Sequence, residues 1–274
     1  MRCLLLALLF CYSASAQLFI PYLGGSTGNY LDVDLLAFWE FEEESGDAVD
    51  SSGNGRTLTE NGTPTSGPGL VGLARGYSTT DHTEYFSRAT EEEFAFTNGI
   101  FTIAVFVNLD PANYATSDMT IISRGDYSGT NFSWSLQKDY GTPNDSIQFY
   151  WSTDGVFNIT NVVEFEFDGG VEGGYYFIVV RGDGANVRLS ATFYGEDNLA
   201  SDSVAALGGT IFAGDGTLRV GDLEGSDLHD MGGTIDQLGV WSRYLASCQL
   251  KWLYTGRLGA FNAAQFDANT CLDP

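Results

Sequence analysis

From Leu35 onward the chain is a succession of short aromatic and β-branched runs, and nearly every gap between them holds Gly, Asp or Asn. Strand formers punctuated this densely by turn formers restrict the fold to many short strands joined by tight turns. The runs are Phe101 to Val107, Thr120 to Ser123, Phe132 to Leu136, Ile147 to Trp151, Val162 to Phe167, Tyr175 to Val180, Val187 to Phe193 and Leu218 to Val220. The first is apolar on both faces, which predicts a central strand covered on two sides. With 34 glycines against 6 prolines the balance suits a β protein better than a helical bundle. Helix signal is confined to the segment after Tyr244. There Ser247 is placed to cap a short helix carrying Leu250, Leu253 and Tyr254 on one face, with Gly256 near its end. The fold class read from this pattern is all-β, a two-sheet antiparallel β-sandwich with one short C-terminal helix.

The first sixteen residues read as a signal peptide. Met1-Arg2 supplies a positive start, Leu4 to Phe10 an apolar core, and Ala14-Ser15-Ala16 a small-residue cleavage site. No run is long enough to span a bilayer. The expectation is therefore a secreted, extracellular chain divided into a signal peptide (1–16), a Gly/Ser/Tyr-rich strap or linker (17–35), one large β domain (36–260) and a tail (261–274). Cys3 and Cys11 fall in the signal peptide. The remaining pair, Cys248 and Cys271, reads as one disulfide tying the tail down. By the chain-entropy model such a bridge contributes about 3 kcal/mol.

The formal net charge is −24, and lysine occurs only as Lys138 and Lys251. A chain this acidic lacks the basic footprint that phosphate binding needs, so nucleic acid is excluded as a partner and anionic membranes are disfavoured. Excess carboxylate suits calcium, polycations or solubility in salty water. Sequons stand at Asn61, Asn131, Asn144 and Asn158.

Several residue sets invite a chemical reading. Glu164, Glu166 and Asp168 alternate with Val163, Phe165 and Phe167, which puts three carboxylates on one face of a strand. Alternate strand residues lie about 7 Å apart. Two such tips can converge to the roughly 5.5 Å used by retaining glycosidases. The plain alternative is an acidic, solvent-facing strand. Trp134, Tyr150 and Trp151 could form an aromatic platform for sugar rings, although half of such a set normally points into a core. Trp39 and Trp241 are assigned to packing. Asp81, beside His82, is a candidate ligand contact on a rim loop; no nucleophile can be placed next to the pair. With His82 and His229 the only histidines, zinc is disfavoured. Arg124-Gly125-Asp126 and Arg181-Gly182-Asp183 read as incidental turns.

Read in order, these pieces resemble the concanavalin A-like lectin/glucanase superfamily, in its laminin-G-like, pentraxin-related jelly-roll branch. The resemblance rests on Leu36 to Phe41 running into Asp50-Ser51-Ser52-Gly53-Asn54-Gly55, on Gly72 to Tyr77 with Tyr85-Phe86, and on Phe101 to Val107, with Phe106 where tryptophan is usual. It continues through Ile121 to Asp126 and ends in Gly233 to Leu245 before the short helix. It implies a jelly roll whose first and last strands are neighbours. It also implies a calcium site in which Asp50, Asn54 and Asp236 share a cation, the alternative being an Asx-type turn at Asp50. Glucanases of the superfamily carry a Glu-x-Asp-x-Glu type strand; the order here is Glu-x-Glu-x-Asp. The resulting expectation is a secreted, non-catalytic, calcium-stabilised module for carbohydrate binding or adhesion, with glycans or glycosylated surfaces, or other surface proteins, as partners. A glycoside hydrolase using Glu164 and Glu166, with Asp168 assisting, is one alternative. A structural surface or virion protein using the fold as a scaffold is the other.

Overall fold

A computed structural model describes residues 31–78, 83–89, 91–109, 118–139, 145–167, 173–226 and 231–255. In chain order the first strands are β1 (Leu35–Trp39), β2 (Thr59–Asn61), β3 (Thr65–Pro68), β4 (Leu73–Tyr77) and β5 (Tyr85–Arg88). A 3-10 turn at Glu92–Ala95 leads to β6 (Ile100–Leu109), β7 (Met119–Arg124), β8 (Trp134–Asp139), β9 (Ser146–Trp151) and β10 (Val162–Glu166). Then come β11 (Gly174–Asp183), β12 (Asn186–Phe193), β13 (Ser203–Ala206), β14 (Leu218–Val220), β15 (Gly233–Trp241) and the helix α1 (Ser247–Thr255).

These strands form two antiparallel sheets packed face to face. One has the order β13-β12-β11-β6-β15-β4-β3, with β1 also beside β15; the other runs β10-β9-β8-β7-β14-β5-β2. The two-sheet antiparallel sandwich, with one short C-terminal helix among the described residues, is the fold class that the pattern of runs and turns predicts.

The last strand is the hub of the first sheet. Along one edge β15 pairs with β6, from Gly233↔Leu109 to Trp241↔Thr102. Its other edge pairs first with β4 (Gly233↔Tyr77 to Ile235↔Arg75) and then with β1 (Leu238↔Trp39 to Trp241↔Leu35). The change of partner coincides with a bulge between Asp236 and Leu238, where Gln237 has φ +55°. An extra residue in one strand twists it locally, and here the bulge falls where β4 gives way to β1.

Alternation fills the space between the sheets. Phe101, Ile103, Val105 and Val107 of β6 face Trp134, Leu136, Phe149 and Trp151 of the second sheet, in one buried cluster with Trp39 and Leu238. Phe96 stacks on Phe101 at 4.5 Å and on Trp134 at 5.3 Å between ring centres. The other face of β6 is covered too: Ala104 and Phe106, with Phe38, Phe177 and Trp241, pack under Leu250, Leu253 and Tyr254 of α1. That is why β6 reads apolar on both faces. Four indole N–H groups cross from packed rings to carbonyls outside the strands: Trp39 to Arg56, Trp134 to Phe94, Trp151 to Leu207 and Trp241 to Leu31, all at 2.7–2.9 Å. A buried indole without such a partner would carry an unsatisfied donor.

The sequence reading places several boundaries differently. It starts β8 at Phe132, whereas Phe132 and Ser133 precede the strand, and Phe132 N–H donates to the Gly155 carbonyl. It omits β2, β3 and β13, which have three or four residues and bury little, so no apolar alternation marks them. Ser247 is the first helical residue rather than the cap. Ala246 is the cap, its carbonyl accepting from Leu250 N and its own N–H donating to Gln249 Oε1 at 2.9 Å. This is the returning half of a capping box.

Candidate functional site: a polar cavity on the second sheet

Strands β2, β5 and β14 are consecutive neighbours in the second sheet, with Asn61↔Tyr85 and Arg219↔Ser87 in register. Phe86, Leu218 and Val220 point into the core. Strand alternation therefore sends Tyr85 and Arg219 to the outer face. There the guanidinium of Arg219 lies 4.6 Å from the centre of the Tyr85 ring. The segment after β14 folds back over this pair. Arg219 Nη1 donates to Asp222 Oδ2, and Nη2 lies 2.9 Å from Glu224 Oε1. Asp222 is buried, and its carbonyl accepts from Ser123 Oγ at 2.8 Å.

Together these elements line an open, shallow cavity of about 430 Å³ bounded by Asn61, Gly62, Thr83, Tyr85, Arg219, Asp222, Leu223, Gly225 and Ser226. Sites for small molecules usually measure about 300–1,000 Å³. Glycine is required at position 62: φ is +69°, and a Cβ would sit 2.5 Å from the Thr83 carbonyl oxygen. Asn61 Nδ2 donates to the Thr59 carbonyl at 3.0 Å and to Ser87 Oγ at 2.9 Å. Burial alone would lower the Arg219 pKa, but Asp222, Glu224 and Tyr85 outweigh it and hold the guanidinium above its ordinary value. The cavity thus offers one aromatic ring, a hydroxyl and amide rim, and a cation already neutralised from within. Sequence reasoning missed it because its residues come from three separated segments, none with a ligand-binding motif; only the adjacency of β2, β5 and β14 joins them.

A second polar array occupies the outer face of β8, β9 and β10. Gln148 Nε2 donates to Asp139 (3.1 Å), Ser146 Oγ (3.2 Å) and Glu164 Oε1 (2.8 Å), and Tyr150 donates its hydroxyl to Gln148 Oε1. Burial, then the neighbouring Asp118 carboxyl and Glu164, push the Asp139 pKa up to about 6. Burial and the same carboxylates raise that of the Tyr150 phenol. The Tyr150 ring also meets Phe157 at 5.2 Å.

The structure separates residues that the sequence reading joins. Asp50 and Asp236 do not face one another. Trp39 of β1 pairs with Leu238 on one side and Asp50 on the other, so β1 lies between Asp50 and β15. Asp50 accepts from the backbone N–H groups of Phe38 (3.1 Å), Ser52 (2.9 Å) and Arg56 (2.8 Å). Asn54 Nδ2 donates to the carbonyls of Leu35 and Leu36. This is the Asx-type turn weighed against the cation, here also stapled to β1. Asp236 accepts from Val71 N at 2.9 Å and anchors the β3–β4 turn. Among the described residues no three His, Cys, Asp or Glu side chains are grouped to hold a metal ion.

The aromatic platform is corrected as well. Trp134 and Trp151 are 0% and 1% exposed and stack in the core, leaving Tyr150 alone on the outer face. The alternation Ser133-Trp134-Ser135-Leu136 carries that signal, since it puts Trp134 on the apolar side. Asp81 and Asp168 lie outside the described residues. Glu164 and Glu166 do share the outer face of the edge strand β10, where Glu164 accepts from Ser146 Oγ at 2.6 Å and from Gln148. Both Arg-Gly-Asp tripeptides are structural. Arg124 is buried against the Ala213 and Gly214 carbonyls, and Arg181 against the Leu245 carbonyl and Asp202. Cys248 sits in the first turn of α1; Cys271 lies outside the described residues. Among the described residues no helix is long and apolar enough to cross a membrane.

The chain matches no protein-family model and no curated protein. It does resemble solved structures. The receptor binding domain of botulinum neurotoxin C/D mosaic serotype superposes with a TM-score of 0.57 at 13% identity, over 82% of this chain and 52% of that one. The binding domain of Paraclostridial Mosquitocidal Protein 1 gives 0.60 at 12% identity, over 82% and 52%. A type C botulinum neurotoxin structure, of a toxin described as dependent upon interaction with two ganglioside molecules for entering cells, gives 0.58 at 14% identity, over 83% and 52%. This chain spans about half the length of those structures. At such identity the likeness is one of fold, a jelly-roll-like β-sandwich.

Proposed function

We propose that this chain is a secreted, non-catalytic recognition module of the laminin-G-like kind that binds glycans on glycosylated surfaces. The observation that carries the reading is the cavity beside Tyr85 and Arg219: one aromatic ring, a rim of hydroxyl and amide groups, and a size suited to a small ligand. Aromatic faces take the apolar faces of sugars, and short polar side chains take their hydroxyls. The use of similar sandwiches in domains named for receptor binding supports the same reading. Secretion rests on the leader pattern, and the Cys248–Cys271 bridge on the two cysteines that remain in an exported chain.

The hydrolase alternative has less support. Glu164 is held by Ser146 and Gln148 on an edge strand, and the carboxyl raised towards neutrality is that of Asp139. Calcium at the seam meets contrary geometry, because Asp50 is engaged by three backbone N–H groups. We therefore expect the same Tm in chelator and in calcium; a rise in calcium would restore the cation site, since a ligand of the folded state must stabilise it. The test of the function is an oligosaccharide array probed with the full chain. Binding to a defined set of glycans supports the module, whereas silence with intact folding favours the scaffold reading.

A further inference from the structure

We propose that the cavity selects uncharged sugars and that Asp222 enforces this selectivity by occupying the one guanidinium that could receive an acidic sugar. This rests on the glycan-binding reading above and names the ligand class of that site. An arginine at the wall of a polar cavity is ordinarily an anion receptor, because its planar fork matches a carboxylate. Arg219 is not available in that way. One terminal nitrogen donates to Asp222, the other faces Glu224, and the central carbon of the group lies 4.6 Å from the centre of the Tyr85 ring. Among the described residues no other lysine or arginine lines the cavity. Among the described residues Arg219 stands against two carboxylates, Asp222 and Glu224, within a chain of net charge −24.

A carboxylated ligand would enter against this field and find its natural partner taken. A neutral pyranose meets no such obstacle. Its apolar face would meet the part of the Tyr85 ring that lines the cavity beside the Arg219 guanidinium. Its hydroxyls would lie along a rim lined by Thr83 and Ser226, with Asn61 Oδ1 as the acceptor that asparagine offers once its Nδ2 is engaged.

The test is an array of matched oligosaccharides, each neutral core presented with and without terminal sialic acid, probed with full chain made in a host that does not glycosylate Asn61. The wild type is expected to bind neutral members at least tenfold better than their sialylated partners, with little change between low and high salt. Tyr85→Ala is expected to lose that binding at least tenfold with Tm checked in parallel. Asp222→Asn frees the guanidinium and is expected to gain sialylated ligands at least tenfold; if it does not fold, the more exposed Glu224→Gln reads the same effect. Preference of the wild type for sialylated members would overturn the proposal. So would neutral binding that neither Tyr85→Ala nor the charge variants alter, a result that leaves glycan recognition standing at another place. Silence of the folded wild type on every member would remove the recognition reading itself, and this inference with it.

Discussion

Asp50 and Asp139 show how a carboxylate's work is set by its neighbours rather than by its motif. Asp50 is the acceptor for three N–H groups that hold the turn after β1 against that strand. Asp50→Ala leaves those donors without their partner and is expected to cost about 2–4 kcal/mol, read as a drop in denaturant midpoint. Asp139 is the opposite case, with a pKa raised to about 6 by burial and by Asp118. Its folded value lies above its unfolded one, so the native state holds the extra proton. Its contribution is complete below about pH 4 and is lost as pH rises through about 6. Because the group is partly exposed, the effect is about 1 kcal/mol after screening. Asp139→Asn should therefore flatten the fall in stability between pH 4 and 6, measured by thermal melts at each pH. Neither role is legible in sequence. A "DSSGNG" turn has the same letters whether it serves a cation or backbone N–H groups, and Asp118 reaches Asp139 only because β7 and β8 are paired in register.

Elements were more legible than residues. Long runs are marked because burial leaves a pattern: β9 alternates, with one apolar face, and β6 is apolar throughout, with both faces covered. Strands of three or four residues at sheet edges bury too little to leave a pattern, and β2, which carries Asn61 into the cavity, is one of them. Facing is set by alternation, so Trp134 and Trp151 are readable as core once their serine and tyrosine neighbours are put on the other face. Packing on the α1 side is close enough to test. A Cβ at Gly239 would lie 2.4 Å from the Trp241 ring, inside the cluster that α1 covers. Gly239→Ala is expected to destabilise by about 1–3 kcal/mol through overpacking, seen as a lower Tm with unchanged far-UV circular dichroism.

At the scale of the whole molecule, a net charge of −24 makes self-repulsion a standing opponent of the compact state. Screening shortens its reach from roughly 30 Å at 0.01 M salt to about 8 Å at 0.15 M. Tm should therefore climb with sodium chloride over that range; a flat response would mean that the carboxylates are locally compensated. The position of β15 also orders events in time. During synthesis β6, β11, β12 and β13 can pair among themselves as they emerge, and β3 can close on β4. These two groups meet only across β15, which is made after both and fills the space between β6 on one edge and β4 and β1 on the other. Until residue 241 is available the strands of the first sheet stand as three unjoined pieces, the β6 group, the β3–β4 pair and β1, each with an open edge. A nascent chain of this design is committed to waiting: it remains unlocked, and dependent on whatever guards it, until its last strand arrives.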